Sequence, residues 1–409
     1  MDPRLRLGSR FYLHFCIGLP NMTDLSLAKH LQPPPPQSNA PLQVSSYFCP
    51  ATYEAEQQRI FSQSPKYVGH RLAVPNMGDY YALPQEGEGR VLMHTPDGKG
   101  GSRLELISNV CRHRQAVMLH GRGHQAQSNI ICPLHRWTYD TSGQHPTGTL
   151  IGAPHFEQDP CLNLNNYALQ SWNGLQFDAA STQRTDLKEL FKGMKAAKDL
   201  DFSGYQFHKA IHHECPYNWK TFIEVYLEDY HVGPFHPGLG QFVACEELQW
   251  EFGEQWSVQT VGVADKLGKP GSAVYQRWHD AVLSYRGGQA PAHGAIWLTL
   301  YPTVMVEWYP HVLTVSTLYP QGPQKTLNIV EFFYPEEIAS FEPHFIEAQQ
   351  AAYMETCEED DEIALRMDAG RKALHERGDS ESGPYQSPME DGMRHFHQWY
   401  ETTMKAAMA

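Results

Sequence analysis

The sequence predicts an α+β protein of two domains: a small all-β domain, then a larger one in which an antiparallel sheet meets long helices. Three observations carry this expectation. The chain has 409 residues, enough for two separate hydrophobic cores. From 66 to 177, short apolar runs such as RLELISNV, SNIICPL and YALQSWNGLQF are divided by glycine and proline turns, the mark of short strands. From Ala295 to Tyr334, four β-like runs (AIWLTLY, VMVEWY, VLTVSTLY and KTLNIVEFFY) follow so closely that an antiparallel meander must join them. Helical patterns flank this meander.

Taken in order, residues 1–45 read as a disordered, proline-rich extension. MDPRLRLGSRFYLHFCIGLPN faintly resembles a signal peptide, but His14 interrupts its apolar run and no small-residue cleavage site follows. A start at Met22 explains it equally well. QPPPPQSNAP, from Gln32 to Pro41, favours extended chain over packed structure. PATYEAEQQRIFSQ places an N-terminal helix within 46–65, the all-β domain occupies 66–177, and the larger domain fills 178–409. In that larger domain TDLKELFKGMKAAKDL reads as helix, and so does Trp219 to His231. After the meander, two helices are expected, from Pro335 to Cys357 and from Glu358 to Ala373, with a last one in HFHQWYETTMKAAM.

Composition removes several function classes. A net charge of −14 argues against nucleic-acid binding and against docking on an anionic membrane. No run of 18 apolar residues offers a membrane span. The 8 cysteines are too sparse for a secreted disulfide framework, so a reducing cytoplasm is expected. Cys16, Cys49, Cys161, Cys215, Cys245 and Cys357 are scattered thiols.

Two pairs are not scattered: Cys111 with His113, and Cys132 with His135. Thiolate and neutral imidazole are ligands for zinc or iron. A zinc finger would take both cysteines from one hairpin and both histidines from one helix. Here each loop offers one of each, which suits a two-iron, two-sulfur cluster with one iron on sulfur and the other on nitrogen. The segment NVCRHRQAVMLHG…CPLHRWTYDTSG resembles the cluster-binding segment of Rieske-type proteins, and most closely that of Rieske non-haem iron oxygenases, the ring-hydroxylating family. By that resemblance Cys111, His113, Cys132 and His135 hold a [2Fe–2S] cluster. His120, His124 and His145 read as exposed loop histidines.

NWKTFIEVYLEDYHVGPFHPGL, from Asn218, holds the second constellation. On a continuous helix Glu224, Glu228 and His231 would share one face, with His236 beyond a Gly-Pro break. By spacing alone this fits a solvated helix face as well as it fits a metal site. A Rieske cluster only carries electrons, so the chain should also hold a centre that uses them. Two histidines and a carboxylate leave positions open on iron(II). The segment resembles the mononuclear-iron segment of the same oxygenases, which makes His231 and His236 the iron ligands. CEEDDEIALRMDAG resembles the family's late acidic helix and points to Asp360 as third ligand, with Asp361 its competitor; the acidic start also suits a helix N-terminus.

The resemblance spans the chain from about Ser46 and includes GPYQSPMEDGMRHFHQWY. It implies a Rieske domain joined to a helix-grip catalytic domain, Fe(2+) beside the cluster, and NAD(P)H electrons delivered by a separate flavin or iron–sulfur reductase. No GxGxxG fingerprint is present. It also implies a homotrimer, in which Glu228 bridges His231 of one copy and His135 of the next. A glutamate at 228, where most ring-hydroxylating members carry aspartate, resembles the choline, glycine betaine and carnitine monooxygenases and points to a quaternary ammonium substrate. The alternatives are an aromatic-ring cis-dihydroxylating dioxygenase and a non-enzymatic Rieske electron carrier. Trp297, Tyr301, Trp308, Tyr309 and Phe332 are candidates for the pocket wall by cation–π attraction, and each also fits ordinary core packing.

Overall fold

Short strands and frequent turns fold the first half of the chain into three small antiparallel sheets. A computed structural model describes residues 41–156, 159–180 and 186–406; most of the extension expected over 1–45 lies outside these residues. Packing begins inside that expected tail, since Leu42 and Val44 are already buried. The helix Pro50–Glu56 follows, with Pro50 at its first turn, where a missing N–H costs nothing.

A five-stranded sheet pairs Arg122–His124, Asp79–Ala82, Arg90–Pro96, Ser102–Ser108 and Asn166–Tyr167 in that spatial order. A three-stranded sheet of Asn129–Ile131, Thr138–Asp140 and Leu150–Gly152 packs with it around Val91, Met93, Ile107, Ile130 and Tyr139. Gly143, at φ 81°, makes the turn expected of it. A Cβ there would come within 2.9 Å of the Gly98 backbone nitrogen.

The second half is built on a seven-stranded antiparallel sheet. Its order is Tyr205–Cys215, Lys325–Pro335, Val312–Gly322, Val304–Tyr309, Ala295–Leu300, Trp256–Val263 and Val243–Phe252. The four expected runs are four consecutive strands of it. Both faces of its centre are covered, which is why they read as nearly continuous apolar runs. On one face Ile296, Leu298, Val306, Leu313 and Phe333 meet Phe177, Leu187 and Phe191. On the other, Trp297, Val312, Val330 and Phe332 meet Trp278, Phe345, Ile346 and Ala352 from the helices.

Four helix expectations are corrected. TDLKELFKGMKAAKDL yields only Leu187–Leu190 and a turn of 3-10 helix at Lys195–Lys198, because Gly193 takes a positive φ between them. The two helices expected after the sheet are a short one, Glu336–Phe341, and a single long one, Pro343–Arg377. Glu358 to Asp361 therefore sit in mid-helix and not at an N-terminus. Gly370 does not end this helix. A lone interior glycine costs only about 1 kcal/mol, and the stop is Gly378 at φ 77°. The helix expected over Trp219 to His231 ends at Tyr226. The Glu228 carboxylate accepts the N–H groups of Tyr230 (2.6 Å) and His231 (3.1 Å), drawing those donors away from a helical ladder. Among the described residues no helix is long and apolar enough to cross a membrane.

Candidate metal centres

The Cys111 and Cys132 loops are built alike. The N–H of Gln115 donates to the Cys111 carbonyl (3.0 Å) and that of Arg136 to the Cys132 carbonyl (3.1 Å), each four residues on. Gln115 and Arg136 both take the left-handed conformation. The N–H of each cysteine closes its loop from the other side, on Ala116 (2.9 Å) and Trp137 (2.8 Å). Two matched loops thus present Cys–His pairs to one another. Both sulfurs are buried and neither cysteine is in a disulfide. Burial pushes the Cys132 thiol up, so a dithiolate needs a cation to share its charge. The Nδ1 atoms of His113 and His135 lie 3.1 Å apart, and Trp137 stacks on the His113 ring. The Tyr139 hydroxyl lies 3.5 Å from Cys111 Sγ. Two thiols and two imidazole nitrogens facing one spot fit a [2Fe–2S] group as donors.

In the second constellation the structure gathers His231, His236 and Asp360, with their ligand-type atoms within 4.8 Å of one another. The two Nε2 atoms are 3.0 Å apart. Asp360 Oδ1 lies 3.4 Å from His231 Nε2 and 3.0 Å from His236 Nε2, yet it is buried and makes no hydrogen bond of good geometry. Three lone pairs aimed at one point, and not at each other's protons, fit a metal ion. Carboxylates hold the far side of each ring: Glu228 takes His231 Nδ1, and Glu359 Oε2 takes His236 Nδ1 at 2.7 Å. Such partners fix the tautomer that leaves Nε2 free for metal. Without a metal ion, burial opposes charge on His231 but Asp360 and Glu228 outweigh it and raise its pKa to about 10, so a metal binding at Nε2 takes the place of that proton.

Asp361 points elsewhere. It accepts from Tyr217 (2.6 Å) and lies 2.7 Å from His213 Nε2, in a separate cluster with Cys215. Glu224, expected on the metal face, is on another side because the helix stops early. It is fully buried and held by Tyr47, His397 (2.8 Å) and Arg371 (2.5 Å).

A cavity opens onto His231, His236 and Asp360. Trp297 and Tyr309 line it as expected. Tyr301, Trp308 and Phe332 do not: Tyr301 is buried against Ser257 and His395, Trp308 is on the opposite face of the sheet, and Phe332 stands behind Tyr353. Sequence reasoning missed Asp229, Tyr226, Glu307 and Tyr353, all of which line it. Glu307 had a signal, a charged residue inside the apolar alternation of VMVEWY. Burial pushes the Asp229 and Glu307 carboxyls each up to about 7.

Comparison with known proteins agrees with these two centres. The Rieske [2Fe-2S] domain family matches residues 64–163, and the ring hydroxylating alpha subunit catalytic domain matches 202–406. Putrescine 2-hydroxylase of Ralstonia nicotianae is 60% identical over 383 residues, covering 94% of this chain and 100% of that protein. The putrescine 2-hydroxylase of Bordetella bronchiseptica is 53% identical over 396 residues, covering 94% and 88%. A solved quaternary ammonium Rieske monooxygenase, studied for carnitine oxidation and inter-subunit electron transfer, shares the fold: TM-score 0.69 at 20% identity, over 90% of this chain and 95% of that one.

Proposed function

This chain belongs to the ring-hydroxylating oxygenase alpha subunits, and on that premise we propose that it hydroxylates a small aliphatic diamine such as 1,4-diaminobutane. It is the terminal oxygenase subunit of a Rieske oxygenase and uses a [2Fe–2S] cluster and a mononuclear iron. One observation carries the substrate class. Glu228, Asp229, Glu307 and Asp360 line the cavity, and among the described residues no lysine or arginine does. Such a wall attracts a cation. Relatives at 60% and 53% identity are putrescine 2-hydroxylases, and both amines of a simple diamine are charged at neutral pH. A primary ammonium replaces the quaternary ammonium expected from Glu228 alone. A match to the catalytic domain over 202–406 speaks against a mere electron carrier.

In this reading Cys111 and Cys132 hold one iron of the cluster and His113 and His135 the other, while His231, His236 and Asp360 hold the mononuclear iron. Bound there, the metals supply electrons and the reductive activation of oxygen. The protein orients and shields. Glu228 and Glu359 hold both imidazoles by Nδ1, and Tyr226, Tyr309, Tyr353 and Trp297 line the cavity with rings that exclude water.

The reading extends to partners. A flavin or iron–sulfur reductase passes on NAD(P)H electrons, the chain works in the cytoplasm as a homotrimer, and 66–177 and 178–409 act as cluster and catalytic domains. Electrons leave by His135 of one copy and reach His231 of the next across Glu228. Two features support this route. His135 is exposed beside Leu134, itself 59% exposed, and Tyr230 is 57% exposed beside Glu228. Apolar rims at both ends of such a path suit a docked interface.

The test is oxygen uptake with product mass over 1,4-diaminobutane, carnitine, choline and benzoate, using holoenzyme and a reductase. A product one oxygen atom heavier from the diamine, with little from the others, is expected. Turnover of a quaternary ammonium or an aromatic acid in its place overturns the proposal.

A further inference from the structure

Besides Asp360 Oδ1 at the metal site, three buried polar atoms on the wall of the cavity lack a hydrogen-bond partner among the described residues: Asp229 Oδ2, Tyr226 Oη and Glu307 Oε2. Asp229 is 3% exposed and Glu307 2%. Leaving a buried carboxylate unpartnered is costly, so native structures keep such groups where a partner arrives. Glu307 lies on a central strand; its other oxygen accepts from the Tyr353 hydroxyl at a long 3.4 Å, and the neutral hydroxyls of Thr314 and Tyr309 also face the carboxyl, so no cation is set against it. Asp229 lies in the turn before His231, where the charges nearest its carboxyl are Glu228 and His231. Tyr226 feels both carboxylates.

The chemistry of the missing partner follows. It must donate hydrogen bonds and carry positive charge, and it must do so at two places on one cavity. A trimethylammonium group donates none, and a monoamine satisfies one carboxylate only. We infer that Glu307 and Asp229 each bind one ammonium end of an α,ω-diamine, with Tyr226 between them and the aliphatic carbons spanning the aromatic wall beside His231, His236 and Asp360. This rests on the diamine reading above and adds the residues that select for two charged ends. The arrangement rejects a monoamine by leaving a buried carboxylate unpaired, a stronger discrimination than the loss of one attraction.

The experiment compares wild type, Glu307→Gln and Asp229→Asn as iron-loaded holoenzymes. Two quantities are read: kcat/KM for 1,4-diaminobutane and for 1-aminobutane, and the affinity for 1,4-diaminobutane by calorimetric titration without oxygen. Both substitutions keep the side-chain shape and remove the charge. Each is expected to weaken diamine binding and kcat/KM by about 10- to 100-fold, the range for one charge-assisted hydrogen bond. The preference for diamine over monoamine should collapse, a ratio that general loss of folding does not move. Wild type that binds and oxidises the diamine while both variants stay within about twofold of it overturns the cradle alone. Loss confined to one variant overturns its two-ended form. Wild type that neither binds nor oxidises the diamine overturns the substrate reading and the cradle with it.

Discussion

Glu228→Gln is the substitution that isolates what the carboxylate does for His231. In the native structure one oxygen of Glu228 accepts the N–H groups of Tyr230 and His231, and the other takes His231 Nδ1. Glutamine can keep the first pair through its carbonyl oxygen, so the turn survives. Its amide nitrogen must then face Nδ1. If Nε2 binds metal, Nδ1 carries the proton, and two donors meet. The loss is one charge-assisted hydrogen bond in a half-buried setting, about 1.5–3 kcal/mol, or about 10- to 100-fold in metal affinity, the range for outer partners of a ligating histidine. The assay has two arms. Chelator competition measures iron affinity at the mononuclear site. Stopped-flow reoxidation of the pre-reduced cluster, at saturating iron and with substrate and oxygen, measures electron delivery. Glu228→Gln and Glu228→Ala should reoxidise orders of magnitude more slowly than wild type, and Glu228→Asp should retain part of the rate. Wild-type iron affinity together with wild-type reoxidation in Glu228→Gln would refute both the positioning and the bridging roles.

Three further outcomes are expected. Cys111→Ser or Cys132→Ser should abolish the visible and paramagnetic spectrum of the cluster, which a native spectrum in either would contradict. Lys220 Nζ pairs with Glu56 at 2.6 Å with both side chains buried, and Trp219 and Tyr400 also donate to Glu56; Lys220→Ala leaves that carboxylate uncompensated and should cost about 3–5 kcal/mol in denaturant unfolding. Burial pushes the Glu331 carboxyl from 4.5 up to about 7, so the folded state binds its proton more tightly than the unfolded one. Its stabilising share is complete below about pH 4.5 and is lost from there up to about pH 7; Glu331→Gln should therefore flatten the fall in thermal stability between about pH 4.5 and 7, and an unchanged pH profile would count against this assignment.

What could be read from the sequence followed from local chemistry. Cys111, His113, Cys132 and His135 were legible because two loops must each bring sulfur and nitrogen to one group, and that leaves a fixed spacing. The sheet from Ala295 was legible because strands covered on both faces are apolar throughout and separated by short turns. Illegible features depend on partners distant in sequence. Nothing local says that the helix from Trp219 stops at Tyr226, since the stop is made by the Glu228 side chain folding onto backbone that a helix would otherwise use. Glu224 looked like a metal-face residue until Arg371 and His397, far along the chain, claimed it. Asp360 and Asp361 are neighbours in sequence, and only the rotation of one continuous helix sends the first to His231 and His236 and the second to His213 and Tyr217. Glu307 carried a signal that was weak by itself, one acid in an apolar strand, and became informative once its strand faced the cavity.

Iron counting most directly tests the claim that one chain houses both centres. Wild type should hold about three irons per chain, two in the cluster and one at the mononuclear site. His231→Ala, His236→Ala and Asp360→Ala should each hold about two, keep the Rieske spectrum and lose turnover, while Asp361→Ala keeps all three. Full iron and retained oxygenation in any of the first three, or loss of iron in Asp361→Ala alone, would contradict the account.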